Sequence, residues 1–311
     1  MTARIACIGE CMVELREQPD GSLRRGWGGD TLNTAVYLAR LGASVDYVTA
    51  LGDDPWSDEM LAHWRAEGIG TGLVYQLEGC LPGLYIIRTD TGGERRFSYW
   101  RDSAAARRLL DHLDIQALMA FEVLYVSGIT LSIFDDAARG VLLQALADAR
   151  QRGAQIVFDT NFRPRGWPDR VLARRLYQRM FDAAHIVLAS AEDLSLLYGE
   201  TSGASVPGEA ELLRHAADTE IVLKLDQPAS GVFYAGMERR IEAATVDGVV
   251  DTTAAGDSFA AAYLAARLRG ATPEDAARAG HDLAGVVVRH PGAIIPRAAM
   301  PRPAGLQESS S

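Results

Sequence analysis

Two hydrophobic periodicities alternate along most of this chain. Short apolar runs of strand length occupy residues 123–127, 155–159, 185–189 and 220–225. Between and after them, apolar residues recur at helical spacing, which predicts helices over 135–152, 169–182, 209–217, 256–269 and 273–288. Strands that alternate with helices in this way form a largely parallel sheet covered by helices, so the pattern predicts an α/β fold.

The first hundred residues add a hairpin to this alternation. The pattern first predicts a strand, a helix, a strand and a helix, at 5–9, 30–42, 45–51 and 55–67. Residues 84–88 and 95–101 then flank a Thr-Gly-Gly turn, which indicates a β-hairpin. Because side chains alternate across a strand, Phe97, Tyr99 and Arg101 would share one face. We expect the hairpin to form a flap or a small added sheet.

Composition and charge reduce the number of protein classes to which this chain can belong. At 311 residues the chain exceeds the usual size of one hydrophobic core, so one large domain with an appendage, or two domains, is expected. The formal net charge of -10 disfavours binding to nucleic acid or to an anionic membrane surface. The three cysteines lack metal-ligand or disulfide spacing, and the N-terminus lacks a signal-peptide profile. These features predict a soluble cytoplasmic protein, with a disordered tail over 303–311.

Residues 251–258, Asp-Thr-Thr-Ala-Ala-Gly-Asp-Ser, carry the most informative chemical pattern. Small residues precede a run of good helix formers, so the first amides of the helix would be bare and able to hold a phosphate or a developing anion. Asp257 would lie beside them. A carboxylate repels a stored phosphate, but it fits a general base that takes a proton from an attacking hydroxyl. The alternative is that Asp257 only favours the helix N-terminus, as acidic first-turn residues do.

A second pattern, Gly28-Gly29-Asp30-Thr31-Leu32-Asn33, leads into the first predicted helix. Paired glycines allow the backbone to approach a ligand closely, and the side chains of Asp30 and Asn33 can hydrogen-bond sugar hydroxyls. The alternative is an ordinary loop in which Asp30 is the N-cap residue.

Polar residues follow several of the predicted strands, namely Asn161, Arg163, Ser190, Glu192 and Asp226. Ligands of open α/β sheets bind beyond the carboxyl ends of the strands. Arg163, with Tyr99 and Arg101 of the hairpin, would suit an acidic sugar, because arginine binds a carboxylate bidentately. The alternative for the hairpin arginines is solvated surface charge.

Nucleotide and metal contacts are predicted from weaker patterns. Lys224 and Gly231 bracket a candidate nucleotide-side loop, for which an ordinary strand–turn–strand is an equal alternative. Glu192 can help to hold a hydrated Mg²⁺ through water, although a helix N-terminal carboxylate explains it as well. The sequence has neither a Walker P-loop motif nor Gly-x-Gly-x-x-Gly after a strand, which argues against P-loop hydrolysis and nicotinamide chemistry.

The patterns at 28–33 and 251–257 resemble the two signatures of ribokinase-like (phosphofructokinase-B-type) sugar kinases. The resemblance implies a single domain over 1–311, with a three-layer α/β/α core and a small β lid from about 10–28 and 82–102. It implies Asp257 as the catalytic base and the amides of Ala254, Ala255 and Gly256 as the anion hole. It implies substrate contacts from Gly28, Gly29, Asp30, Asn33, Tyr85, Tyr99, Arg101 and Arg163.

The same resemblance extends to cofactors, partners and substrate. ATP would lie against Asn161, Ser190, Lys224, Asp226, Gly231 and Gly256. Mg²⁺ would bridge its phosphates, a monovalent cation such as K⁺ would lie near Asp251, and a homo-oligomer would form through the lid. Tyr99-Trp100-Arg101 and Asn161-Phe162-Arg163-Pro164 are similar to elements of the branch that phosphorylates 2-keto-3-deoxygluconate. A kinase of a neutral sugar (fructose, ribose or a nucleoside) and a non-catalytic sugar sensor remain the alternatives.

Overall fold

The computed structural model describes residues 3–89, 95–199, 206–225 and 227–301. Asp226, the hairpin turn and the expected tail at 303–311 therefore lie outside the described residues. The strands, numbered along the chain, are β1 (Arg4–Ile8), β2 (Met12–Glu17), β3 (Leu23–Gly28), β4 (Ser44–Gly52), β5 (Gly70–Leu77), β6 (Gly83–Thr89), β7 (Arg95–Trp100), β8 (Val123–Ser127), β9 (Gln155–Asp159), β10 (Ile186–Ser190), β11 (Glu220–Lys224), β12 (Ala229–Tyr234) and β13 (Met237–Glu242). The α-helices are α1 (Asp30–Arg40), α2 (Pro55–Ala66), α3 (Leu109–His112), α4 (Gly128–Ile133), α5 (Asp136–Gln151), α6 (Arg170–Ala183), α7 (Ala191–Tyr198), α8 (Glu209–Leu213), α9 (Ala255–Leu268) and α10 (Pro273–Val287).

The main sheet has nine strands within the described ranges, in the order β13-β12-β11-β10-β9-β8-β1-β4-β5. From β11 to β5 neighbouring strands are parallel, while β12 is antiparallel to both β11 and β13. The predicted α/β class with a mostly parallel sheet is confirmed. Strand β12 returns antiparallel along β11, with Lys224 opposite Ser230.

Helices cover both faces of this sheet and enclose two hydrophobic cores. Alternation along β1 sends Ala6 and Ile8 into one core, under α5 and α6, and Ile5 and Cys7 into the other, under α1 and α9. All four side chains are fully buried. A parallel sheet that is buried on both faces needs nearly continuous apolar strands, and this is why the central strands could be recognised from sequence.

A second, smaller sheet has the order β3-β2-β6-β7 and stands apart from the main one. The predicted hairpin provides β6 and β7, and β2 pairs in parallel with β6. The apolar pattern did not predict strand β3, because Leu23-Arg24-Arg25-Gly26-Trp27-Gly28 shows little apolar alternation, although the resemblance included these residues in the lid. Its pairing with β2, which runs from Met12–Gly28 to Glu17–Leu23, makes it a strand.

Other differences from the predictions concern short or irregular elements. Helix α8 ends at Leu213, whereas a helix over 209–217 was expected. Strand β5 had not been predicted and owes its form to parallel pairing with β4. In the described part of the chain, no helix is long and apolar enough to cross a membrane.

Side-chain caps distinguish two groups of helices. In six of the described α-helices the N-cap side chain accepts a hydrogen bond from a first-turn amide; these caps are Asp54, Ser127, Asp135, Asp169, Ser190 and Thr272. Helices α1 and α9 begin instead at Gly29 and Ala254, without a side-chain cap. Their first amides are therefore left to other acceptors.

Candidate active site

A cleft of about 650 Å³ lies at the carboxyl ends of the central strands, between the N-termini of α1 and α9. Met12, Tyr85, Phe97 and Tyr99 of the small sheet form one side of it. The cleft brings together fifteen of the residues singled out from the sequence: Gly28, Gly29, Asp30, Asn33, Tyr85, Tyr99, Asn161, Arg163, Ser190, Glu192, Lys224, Ala254, Ala255, Gly256 and Asp257.

The N-terminus of α9 presents unpaired amides to this cleft. Ala254 has a left-handed backbone conformation with φ 60°, which turns the chain sharply into the helix. Within the described residues, the N–H groups of Ala254, Gly256 and Asp257 have no acceptor, but that of Ala255 donates to the Thr252 carbonyl at 3.2 Å. The expected donor set therefore needs a correction: the amide of Ala255 is already used, and that of Asp257 is available.

The carboxylate of Asp257 lies beside these amides and has one direct hydrogen-bond donor. Asn33 Nδ2 of α1 donates to Asp257 Oδ2 at 2.8 Å. Burial, and next the charge of Asp30, raises the pKa of Asp257 to about 8, against the opposing effects of Asn33 and Lys224. An exposed first-turn aspartate would have no such shift. A carboxyl group with a pKa near neutrality in a cleft has the character of a general acid or base.

Two further acidic groups lie near Asp257, and each has a polar partner. Asn161, at φ 25°, donates from Nδ2 to Asp30 Oδ2 at 2.8 Å. Asp159 accepts from the hydroxyl of Tyr125 at 3.0 Å, and its other oxygen lies 3.8 Å from the ammonium of Lys224. Lys224 thus brings a positive charge to the side of the cleft where α9 begins.

The paired glycines allow α1 to approach its neighbours closely. A Cβ at Gly28 would lie 1.8 Å from the hydroxyl of Tyr85, and one at Gly29 would lie 2.1 Å from the backbone oxygen of Glu10. Gly29 is the N-cap of α1, and Asp30 is its first residue. The alternative that Asp30 is the N-cap is therefore wrong, and its side chain lines the cleft instead.

The arginines occupy different environments. Arg163 reaches the cleft with a half-exposed side chain and donates to Asp193 Oδ1 at 3.1 Å. Arg101 follows β7, pairs with the buried carboxylate of Glu10 and stands outside the cleft lining, with its guanidinium 5.9 Å from the ring centroid of Tyr99. An acidic ligand would therefore meet Arg163 directly and Arg101 through its neighbours.

Other predicted contacts are less well placed. Gly231 is buried within β12, opposite Leu223 of β11, and is not part of the cleft lining. Glu192 is exposed in the first turn of α7 and lines the cleft. Among the described residues, no group of three or more His, Cys, Asp or Glu side chains is arranged to hold a metal ion.

Sequence reasoning did not select Glu10 and Asp159, which are both buried at the edge of the site. Burial raises the pKa of Glu10 against the opposing charge of Arg101, and it raises that of Asp159 against Lys224. Each residue lies at or just after the end of a strand, β1 or β9. The rule that selected Asn161 would also have found them, since polar residues at strand carboxyl ends meet at one edge of the sheet.

Comparison with known proteins defines the class to which this fold and cleft belong. Residues 2–300 match the model of the pfkB family of carbohydrate kinases. The chain therefore belongs to that family, and it is a phosphotransferase with an alcohol acceptor.

Relatives and solved structures that are similar to this chain include several sugar kinases. The chain is 45% identical over 314 residues to the 2-dehydro-3-deoxygluconokinase of Dickeya dadantii. The alignment covers 96% of this chain and 99% of the relative. The structure of a 2-dehydro-3-deoxygluconokinase from Thermotoga maritima superposes with a TM-score of 0.84 at 21% identity, over 95% of each chain. The structure of a fructokinase with bound ATP from Xylella fastidiosa superposes with a TM-score of 0.83 at 23% identity, over 97% of this chain and 96% of the fructokinase chain. These two structures support the fold alone.

Proposed function

We propose that this chain transfers the γ-phosphoryl group of ATP to the terminal hydroxyl of 2-keto-3-deoxygluconate (2-dehydro-3-deoxygluconate), giving the 6-phosphate. The observation that carries the proposal is the single cleft in which Asp257, the bare amides of α9 and Arg163 lie together. The near full-length identity to a 2-dehydro-3-deoxygluconokinase supports the choice of acceptor.

Asp257 is the base of the proposed reaction. With the sugar hydroxyl next to its carboxylate, Asp257 takes the hydroxyl proton as the oxygen attacks the γ-phosphorus and ADP leaves. The amides of Ala254, Gly256 and Asp257 then face the oxygens of the transferred group. Such preorganised donors contribute on the order of 3 kcal/mol each to stabilising a developing anion.

The sugar acid is held between α1 and the small sheet. Asp30, Asn33 and the backbone of Gly28 and Gly29, which line the cleft, would bind its hydroxyls. Arg163 and the hydroxyl of Tyr99, which also line the cleft, would bind its carboxylate. Arg101 keeps Tyr99 in position and adds positive charge behind its ring.

ATP is proposed to lie on the opposite side of the cleft. Asn161, Ser190, Lys224 and Gly256 line the cleft, and Lys224 would face the phosphates. Gly231 is left out of this set because it lies within β12. Mg²⁺, held mainly by the phosphates with Glu192 acting through water, would neutralise phosphate charge when bound.

A substrate comparison tests this function. ADP release is measured with 2-keto-3-deoxygluconate, fructose and ribose, and the highest kcat/KM is expected with the acid, because a neutral sugar gives Arg163 no carboxylate to bind. Arg163→Ala should raise the KM for the acid by about 10- to 100-fold, the equivalent of a lost charge-assisted hydrogen bond of about 1.5–3 kcal/mol. The KM for ATP should change much less.

Arg278→Ala is the matched control, since this arginine is about as exposed as Arg163 and is also paired with an aspartate, Asp275, but lies outside the cleft lining. Equal effects of Arg163→Ala on the KM of sugar and ATP would contradict the carboxylate assignment. Faster phosphorylation of fructose or ribose than of the acid would favour the neutral-sugar alternative, and no ADP release with any sugar would favour the sensor.

The small sheet is proposed to act as the lid of one kinase domain and as a dimer interface. Large apolar side chains on or beside it are half exposed or more, namely Leu23, Leu81 and Trp100. Water-exposed apolar groups of this size favour contact with a second copy. Sedimentation velocity should show a dimer that Trp100→Glu dissociates, whereas a wild-type monomer at micromolar concentration would exclude this interface.

A further inference from the structure

An ion-pair network connects the small sheet to the loop that precedes α9. Arg16 of β2 donates from Nη1 to Asp251 Oδ2 at 2.9 Å, and its other nitrogen lies 3.3 Å from Glu14 Oε1. The side chains are only 21%, 7% and 11% exposed for Arg16, Asp251 and Glu14. The guanidinium of Arg16 is therefore not an ordinary solvated surface charge.

Asp251 in turn fixes the loop that forms the anion hole, residues 251–254. Its Oδ1 accepts from the amide of Thr253 at 2.9 Å and from the hydroxyl of Thr253 at 2.6 Å. Its Oδ2 also accepts from the amide of Gly292 at 2.9 Å. Thr253 directly precedes Ala254, whose left-handed conformation aims the bare amides into the cleft. The orientation of those amides thus depends on the carboxylate of Asp251.

The donor set around Asp251 does not fit the monovalent cation that the sequence resemblance implied. A carboxylate offers about four lone-pair positions. Four donors already use them, two on each oxygen, and one of these donors is a guanidinium. A second cation at this carboxylate would lose its ligand atoms and would be repelled by Arg16.

The network also extends to the sugar side of the cleft. Glu14 Oε2 accepts from the hydroxyl of Tyr85 at 2.5 Å, and that hydroxyl lies against Gly28. Tyr85, Glu14 and Arg16 belong to neighbouring strands of the small sheet. One continuous chain of polar contacts therefore joins the substrate wall to the anion hole.

We propose that Arg16 is a positioning residue for the anion hole: its guanidinium supplies, from within the chain, the positive charge that holds Asp251 and the 251–254 loop, so that phosphoryl transfer needs no added monovalent cation. This inference rests on the proposed function of Asp257 and the α9 amides. It also makes the small sheet part of the catalytic geometry, because Arg16 can hold the loop only while β2 is in place.

The test compares wild type, Arg16→Ala, Arg16→Lys and the control Arg24→Ala, in buffers whose only monovalent cation is either tetramethylammonium or K⁺. Arg24 lies opposite Arg16 on β3 and is exposed. Wild type and Arg24→Ala should have the same kcat in both buffers. Arg16→Ala should lose at least about tenfold in kcat in tetramethylammonium, because the loss of one partner of a buried ion pair is costly and disturbs the loop. Its KM for the sugar should change little.

K⁺ provides the readout that a merely structural defect would not change. The small ion should enter the space left by Arg16→Ala and restore part of kcat, and Arg16→Lys should retain more activity than Arg16→Ala because it keeps the charge. A wild-type enzyme that loses activity in tetramethylammonium would overturn the proposal, as would a kcat of Arg16→Ala equal to that of Arg24→Ala. If Arg16→Ala does not fold, Arg16→Lys decides the matter. A folded Arg16→Lys that is inactive and is not activated by K⁺ would also overturn the proposal.

The assay uses whichever sugar gives wild type the fastest ADP release. A failure of the proposed substrate would therefore appear as a different preferred sugar in wild type. A failure of this inference would appear only in the cation dependence and in the Arg16 variants.

Discussion

Asp257→Asn is expected to lower kcat by about 10²- to 10⁴-fold, the range that a positioned general base contributes. Asparagine has nearly the same size and can still contact Asn33, which donates to Asp257 at 2.8 Å. It cannot take the hydroxyl proton. Binding of the sugar should therefore persist, and calorimetry with 2-keto-3-deoxygluconate should give a Kd close to that of wild type while ADP release is nearly abolished.

A control separates this catalytic role from a role in helix stability. Asp136 lies in the first turn of α5 and its side chain is 81% exposed, so Asp136→Asn removes a first-turn charge far from the cleft. That variant should keep the wild-type kcat. A near-normal kcat for Asp257→Asn would show that Asp257 serves only the N-terminus of α9.

Gly29→Ala is the second substitution with a large expected effect. The added Cβ would lie 2.1 Å from the backbone oxygen of Glu10, and no side-chain rotation can relieve a contact with backbone. The first turn of α1 must move, and it carries both Asp30 and Asn33. Since misplacement by about 1 Å can cost 10²-fold in rate, kcat/KM should fall by at least about 10²-fold.

Gly72→Ala provides the comparison for this substitution. A Cβ at Gly72, on β5, meets nothing within 4 Å. The kcat/KM and the thermal unfolding midpoint of Gly72→Ala should match those of wild type. Gly29→Ala should in addition unfold at a lower temperature, because overpacking typically lowers the free energy of unfolding by roughly 1–3 kcal/mol. Unchanged kinetics of a folded Gly29→Ala would mean that the N-terminus of α1 is not part of the site.

The sequence predicted the central sheet well because burial on both faces forces a recognisable pattern. Strands β8 to β11 are nearly continuous apolar runs of five residues, and each was predicted within one residue of its observed bounds. Strand β3 carries arginines and glycines and is defined by its partner, β2. Its pairing is a tertiary property that local propensity does not contain.

The site was predictable to the extent that its chemistry is local in sequence. The glycine pair and the 251–258 run identify two helix N-termini, and both face the cleft. The pairing of charges was not predictable in this way. Arg16 and Asp251 are 235 positions apart, and Arg101 and Glu10 are 91 apart. The hydrogen bond from the amide of Ala255 to the Thr252 carbonyl was also not predicted, because it depends on the backbone conformation of a single turn.

The most direct test of Asp257 as the base is the pH dependence of kcat/KM for the sugar in wild type, because this ratio reports ionisations of the free enzyme. The pKa of Asp257 is raised to about 8, so the carboxyl group is protonated and inactive below that pH and becomes a base above it. We predict that kcat/KM rises with pH through a single ionisation near this value. A kcat/KM that stays constant, or falls, as the pH rises through the same range would contradict the account.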